Sequence, residues 1–130
     1  MSTEENKEIV RRYQDIYNSN NLQALGEVVA EDLAMPKVMA GLPPGLEGAK
    51  RVHETTLIGM PDWHTEINDL IAEADKVVAR ITMTGTHTGD LWGFPATGKM
   101  VMALTGYNFK CFLFTRSQVL IKESACFWLL

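Results

Sequence analysis

The chain has 130 residues, of which 46% are hydrophobic and 22% charged, with 12 Lys and Arg against 16 Asp and Glu. This is the size and balance of one folded domain (residues 1–130), and the net charge of −4 argues against nucleic acid or an anionic membrane as partner. No apolar run approaches the ~18 residues of a membrane span, Met1 to Lys7 is polar rather than leader-like, and Cys111 and Cys126 then read as reduced thiols of a cytoplasmic protein.

A first helix is expected over residues 3–19. Ser2 and Glu5 have capping-box spacing, and Ile9, Val10, Tyr13, Ile16 and Tyr17 repeat on one helical face. Asn18 to Asn21 stops it. A second helix is expected over 22–30, with Leu22, Leu25, Val28 and Val29 on one side. A short strand follows over 33–38, confined to an edge or bulge by Pro36. After the loop Gly41 to Gly45, a third helix covers 46–58 with Ala49, Val52 and Thr56 or Leu57 inward, ended by Gly59 and Pro61.

The rest reads as strand. Trp63, Thr65 and Ile67 alternate with His64, Glu66 and Asn68, and Ala74-Asp75 is a turn. Residues 76–86 alternate between Val77, Ala79, Ile81, Met83 and Val78, Arg80, Thr82, Thr84. Residues 89–98 form a Gly/Pro-rich loop, and two further strands run over 99–114 and 119–130. Helices first and long antiparallel strands afterwards give an α+β domain with helices packed on one face of a sheet.

Four stretches then stand out: Pro61-Asp62, Asp69 to Arg80, Thr84-Gly85-Thr86-His87-Thr88-Gly89, and Gly93-Phe94-Pro95-Ala96-Thr97-Gly98-Lys99. With Tyr13, Tyr17, Asn21 to Leu25, Ala30-Glu31-Asp32 and Pro44 to Gly48, they resemble the SnoaL-like polyketide cyclase group of the nuclear transport factor 2-like superfamily over about residues 5–106. The resemblance implies a cone-shaped α+β barrel, in which a strongly curved antiparallel sheet wraps three N-terminal helices around a deep apolar pocket. It also implies a homodimer through the outer sheet face and acid/base chemistry on a small hydrophobic molecule, without metal or cofactor. Polyketide cyclases, ketosteroid isomerase and limonene epoxide hydrolase share this fold. The last strand departs from the group. Ile121, Glu123 and Ser124 can be placed, but Ala125 stands where Trp is usual and Cys126 where Asp is frequent.

By this resemblance, polar groups reach the pocket from the strand of Arg80 and Thr82 and from the last strand, at Ser124 and Cys126. Arg80 reads as an anion or carbonyl contact, or as a surface ion pair with Glu66 or Glu123. Cys126 reads as an inert buried thiol or, given a base partner, a nucleophile. His87 is a proton shuttle at the pocket mouth, or a structural residue bonded to the 89–98 loop. Tyr17 and Tyr13 direct a hydroxyl at a ligand oxygen, or are core. His64 reads as surface, His53 beside Glu54 as a solvated helix face, and Asp32 as a turn residue. Lys37 is a weaker pocket cation. Met35, Trp63, Tyr107 and Phe109, with Met60, Trp92 and Phe94, are the expected apolar lining. The three histidines lack metal-ligand spacing. Three functions remain open: a cofactor-independent cyclase, isomerase or hydrolase, a non-catalytic binder of the same fold that has lost its Asp, and a dimerisation module.

Overall fold

The computed structural model describes residues 2–34, 42–43, 45–115 and 118–128, with side chains as far as residue 104. Helix α1 runs Thr3–Ser19, a 3₁₀ helix Leu22–Glu27, strand β1 Val29–Ala34, helix α2 Gly45–Gly59, and strands β2 to β5 His64–Glu73, Lys76–Thr86, Met100–Thr115 and Gln118–Trp128.

The capping box at Ser2 and Glu5 is present, with both reciprocal bonds made. The second helix is shorter and tighter than the sequence pattern suggested. Gly26 weakens it, and the β-branched pair Val28-Val29 favours extended backbone, so β1 begins where a third helical turn was expected. The element therefore packs Leu25, Val28 and Val29 inward as a 3₁₀ turn followed by a strand. The part of the expected 33–38 strand beyond Ala34 lies outside the described residues.

The strand order is β1-β5-β4-β3-β2. β1 pairs parallel to β5, and the other pairs are antiparallel. The sheet is open, with β1 and β2 at its edges, rather than a closed barrel. Register shifts at Ile67/Asp69, Lys110/Cys111 and Leu113/Thr115 bend the long strands.

The core lies between the sheet and the helices. Val77, Ala79, Ile81 and Met83 of β3 meet Val10, Tyr13 and Ile16 of α1, with Leu25, Val28, Leu33 and Ala49 completing the cluster. Each large aliphatic side chain so buried contributes about 1.5–3 kcal/mol. Polar clamps fix α1 on the sheet. The Asn18 side chain donates to the Thr65 carbonyl at 2.8 Å and accepts from its N–H at 2.9 Å. The Thr65 hydroxyl donates to Gln14 Oε1 at 2.7 Å. Asn6 Nδ2 donates to the carbonyl of Ala74 at 3.0 Å, holding a turn whose Ala74 has φ +52°.

Glycine decides two close approaches. At Gly45, φ is +70° and a Cβ would overlap the carbonyl oxygen of Glu31, so α2 starts directly against β1. At Gly89, a Cβ would overlap the carbonyl oxygen of Ile58, so the loop after β3 lies against the end of α2.

Candidate functional site

Tyr13 and Tyr17 are one helical turn apart on the inner face of α1, with ring centroids 4.6 Å apart. On α2 the inward residues are Gly45, Gly48, Ala49, His53 and Gly59. Small side chains in the first turns let the helix approach, and His53 is the large inward group. It is 1% exposed and stands edge-on to Tyr17, at a centroid distance of 4.2 Å and an interplanar angle of 85°.

Burial lowers the His53 pKa to about 4, because a desolvated imidazole resists charging. A hydrogen-bonding contribution from the Tyr17 backbone partly opposes this. Nε2 of His53 is buried without a partner among the described residues. In the tautomer with its proton on Nδ1, that buried nitrogen is an acceptor. The Tyr17 pKa is raised by desolvation, against a hydrogen bond from the Tyr13 side chain that lowers it.

His87 ends the inward column of β3, where Val77, Ala79, Ile81, Met83, Gly85 and His87 are all buried. Its backbone holds the following loop: His87 N–H donates to the Lys99 carbonyl at 2.9 Å, and its carbonyl accepts from Thr97 at 3.2 Å and Gly98 at 2.8 Å. Nδ1 is 3.2 Å from the Thr97 hydroxyl. Thr88 and Gly89 both donate to the Gly59 carbonyl at 3.0 Å, tying the loop to α2. The His-Thr-Gly and Ala-Thr-Gly-Lys segments are thus two sides of one strapped loop, as the structural reading of His87 expects. Nε2 of His87 is again buried without a partner among the described residues.

The other sequence-predicted residues divide. Arg80 and Thr82 lie on the opposite face of β3 from the core, and Arg80 is exposed. Thr82 bonds Asn68 Oδ1 at 2.7 Å. The two share a face as strand alternation requires, but it is the outer one. The apolar residues between them took the inside, and a guanidinium is costly to desolvate. Arg80 is accordingly not an interior contact, and it does not meet Tyr17 or His87. Trp63 is half-buried against the core, touching the backbone at Gly85 beside Met60. Trp92 and Phe94 are exposed on the loop rather than lining the interior. His64 and Asp32 are exposed.

Met35 and Lys37 lie outside the described residues, as do the side chains of Tyr107, Phe109, Ser124 and Cys126. The backbone register pairs Tyr107 with Ala79 and Cys126, and Phe109 with Val77 and Ser124. The expected closed pocket depends on those side chains. Among the described residues, an open groove of about 620 Å³ lies between α1 and β2, bordered by Glu8, Arg11, Asp15 and Glu66. No group of three or more His, Cys, Asp or Glu among the described residues is arranged to hold a metal.

His53 is the residue the sequence reading misplaced. Its neighbour Glu54 drew it to the solvated face, yet it lies four residues after the inward Ala49, the spacing that repeats a helical face.

Three solved structures illustrate the fold. TsrD from Streptomyces laurentii superposes with a TM-score of 0.82 at 20% identity, covering 98% of this chain and 90% of that one. AclR from Streptomyces galilaeus, a proposed hydroxylase, gives 0.76 at 21% identity, covering 98% and 77%. IdmH from Streptomyces antibioticus, a proposed polyketide cyclase, gives 0.75 at 24% identity, covering 94% and 90%. At such identities the likeness establishes the fold alone. No curated protein sequence matches the chain. The SnoaL-like polyketide cyclase profile matches residues 7–109, which together with the curved α+β architecture places this chain in the SnoaL-like polyketide cyclase family.

Proposed function

We propose that the protein relocates protons on a small, uncharged, largely apolar substrate bearing a carbonyl oxygen, with His53 as base and Tyr17 as hydrogen-bond donor. The observation that carries this reading is the buried His53 imidazole with an unpartnered Nε2 beside the Tyr17 ring. The buried polar side chains among the described residues are Asn6, Gln14, His53, Thr65 and His87. None carries a permanent charge, which fits a neutral ligand.

In this reading Nε2 of His53 takes a proton from the carbon next to the carbonyl. Tyr17 donates its hydroxyl hydrogen bond to the oxygen on which negative charge develops. Tyr13, donating to the Tyr17 oxygen, makes that phenol a better donor. Burial opposes the charged imidazolium, so the proton is held only briefly and handed back to another atom of the same substrate. An isomerisation or ring closure has this form.

A second reading, binding without turnover, is favoured by the same low basicity and by Cys126 standing where relatives often carry Asp. Hydrogen–deuterium exchange of 2-tetralone, followed by NMR, separates the two. Catalysis predicts saturable acceleration that falls about 100-fold or more in His53→Leu and about tenfold in Tyr17→Phe. Binding of 2-tetralone without acceleration leaves the binder reading standing.

We also propose a homodimer through the outer sheet face. Met100, Met102 and Leu104 are exposed along β4 beside Thr86, Thr84 and Thr82 of β3, an apolar strip suited to a second copy.

A further inference from the structure

Helix α1 is pinned along β2 by side-chain amides near its two ends. Asn6 Nδ2 donates to the Ala74 carbonyl at 3.0 Å, and Asn18 bonds both the N–H and the carbonyl of Thr65. The two clamps stand about 18 Å apart along the helix axis. β2 is an edge strand, with β3 on one side only. Because Asn18 takes both backbone groups of Thr65, that residue turns its N–H and C=O away from β3, and alternation carries Ile67 onto the same free edge. Beyond the register shift, Glu73 and Lys76 close the Ala74-Asp75 turn as a bonded pair, which turns the backbone of Leu70 and Ala72 outward in the same way. Among the described residues, no hydrogen bond reaches the free edge of Ile67, Leu70 or Ala72. Asn18 thus does at one residue what a further strand would do along the whole edge.

The open groove between α1 and β2 runs beside this edge. Its helix wall is the flank carrying Glu8, Arg11, Asp15 and Asn18, and its strand wall is residues 64–70, about 20 Å of edge. Glu8 pairs with Arg11 at 3.1 Å, whereas Asp15, Glu66 and Asp69 have no ion pair to another described residue. Three such carboxylates repel a second copy of the same edge and favour a cationic strand. From this geometry we infer that the β2 edge is a docking site for an extended segment of another protein that carries lysine or arginine and adds to the sheet beyond β2. Backbone bonds to Ile67, Leu70 and Ala72 hold the segment, and its basic side chains meet Asp15 on the helix side and Glu66 and Asp69 on the strand side. The groove is on the flank of α1 away from Tyr17, so the inference does not rest on the proposed function.

The probe is a blocked peptide of about nine residues, alternating lysine and valine. One control replaces lysine by glutamate. The other is the lysine peptide methylated at every amide nitrogen, which keeps the charges and removes the strand-pairing donors. At low salt the lysine peptide is expected to bind wild type at least about tenfold more tightly than either control. Asp15→Lys with Asp69→Lys should remove most of the preference for lysine over glutamate and leave the far-ultraviolet circular dichroism unchanged, since both side chains are exposed. In the free protein, amide hydrogen exchange at Ile67, Leu70 and Ala72 should be faster than at Ile71 and Glu73, whose N–H groups face β3, and the lysine peptide should slow it.

Failure of the lysine peptide to bind overturns the inference. Equal binding of the lysine and methylated peptides also overturns it, because charge alone would then hold them. So does a lysine preference undiminished in the double variant, or an absence of added protection at Ile67, Leu70 and Ala72. Should the double variant not fold, the two control peptides and the exchange protection in wild type decide. None of these outcomes bears on the proposed function, which stands or falls on 2-tetralone exchange.

Discussion

The imidazole of His53 and the phenol of Tyr17 meet edge to face between α1 and α2, their centroids 4.2 Å apart and their planes at 85°. Two polar rings from separate helices thus share one desolvated contact, in which burial disfavours the charged form of each. The imidazole stays neutral, and the phenol stays protonated.

This contact makes stability depend on pH. His53 is held at about 4 when folded, against 6.5 in the unfolded chain. Between those values the unfolded chain binds a proton that the folded one refuses, so stability falls as pH drops from about 6.5 to about 4 and loses nothing further to this group below that. The loss is on the order of 3 kcal/mol. Urea unfolding of wild type and His53→Leu at pH 7, 5.5 and 4 should give a slope in this window that the variant lacks. At pH 7 the variant should lie within about 1.5 kcal/mol of wild type, since an unpartnered polar group is exchanged for an apolar one of similar size. Parallel slopes would show that another group is responsible.

Gly45 and Gly93 separate packing from backbone strain. Both have positive φ, +70° and +87°. A Cβ at Gly45 meets the Glu31 carbonyl, whereas at Gly93 nothing lies within 4 Å. Gly93→Ala should cost about 1 kcal/mol, the left-handed penalty alone. Gly45→Ala should cost about 2–4 kcal/mol, because β1 and α2 must also separate. Equal midpoints in thermal or urea unfolding would mean that the β1–α2 approach is not tight.

The fold was legible because its periodicities are strong. The β3 alternation and the α1 face named the core residues correctly, and the capping box fixed the start of α1. What alternation leaves undetermined is which face turns inward when both carry useful residues. Arg80 and Thr82 were grouped correctly on one face, with Arg80 left open between pocket and surface, and the structure turns that face outward. His53 was hidden by a different ambiguity, since a His next to a Glu on a helix has no local mark of burial. Its inward position is set by Tyr17, far away in sequence. The parallel partner of β1 was not readable either, because parallel pairing carries no local turn signal.

Arg80 offers a check on the sidedness of β3. It is exposed and makes no ion pair with any other described residue. Arg80→Met should change unfolding free energy by no more than about 0.5 kcal/mol and leave 2-tetralone exchange untouched. A large loss of exchange with intact folding would return Arg80 to the site.

The outer strip gives the last prediction. Met100, Met102 and Leu104 are 74%, 69% and 57% exposed, and each lies opposite a threonine of β3. A row of large apolar side chains exposed beside short hydroxyl-bearing ones is costly in water and offers a flat surface to an identical row. Glu66 and Arg80 flank it on the same face, with no ion pair to another described residue. A stable pairing should bury at least ~1,000 Å² in total. Light scattering at micromolar concentration should give twice the chain mass for wild type. Met102→Lys with Leu104→Lys should give a monomer with unchanged far-ultraviolet circular dichroism, because both side chains already face solvent in the single chain. A monomeric wild type would overturn the pairing, and a double variant that remains dimeric would move the interface off this strip. Because His53 and Tyr17 lie on the other side of the sheet, the monomeric variant should keep its 2-tetralone exchange rate per chain. A rate that fell together with the dimer would show that pairing shapes the interior as well.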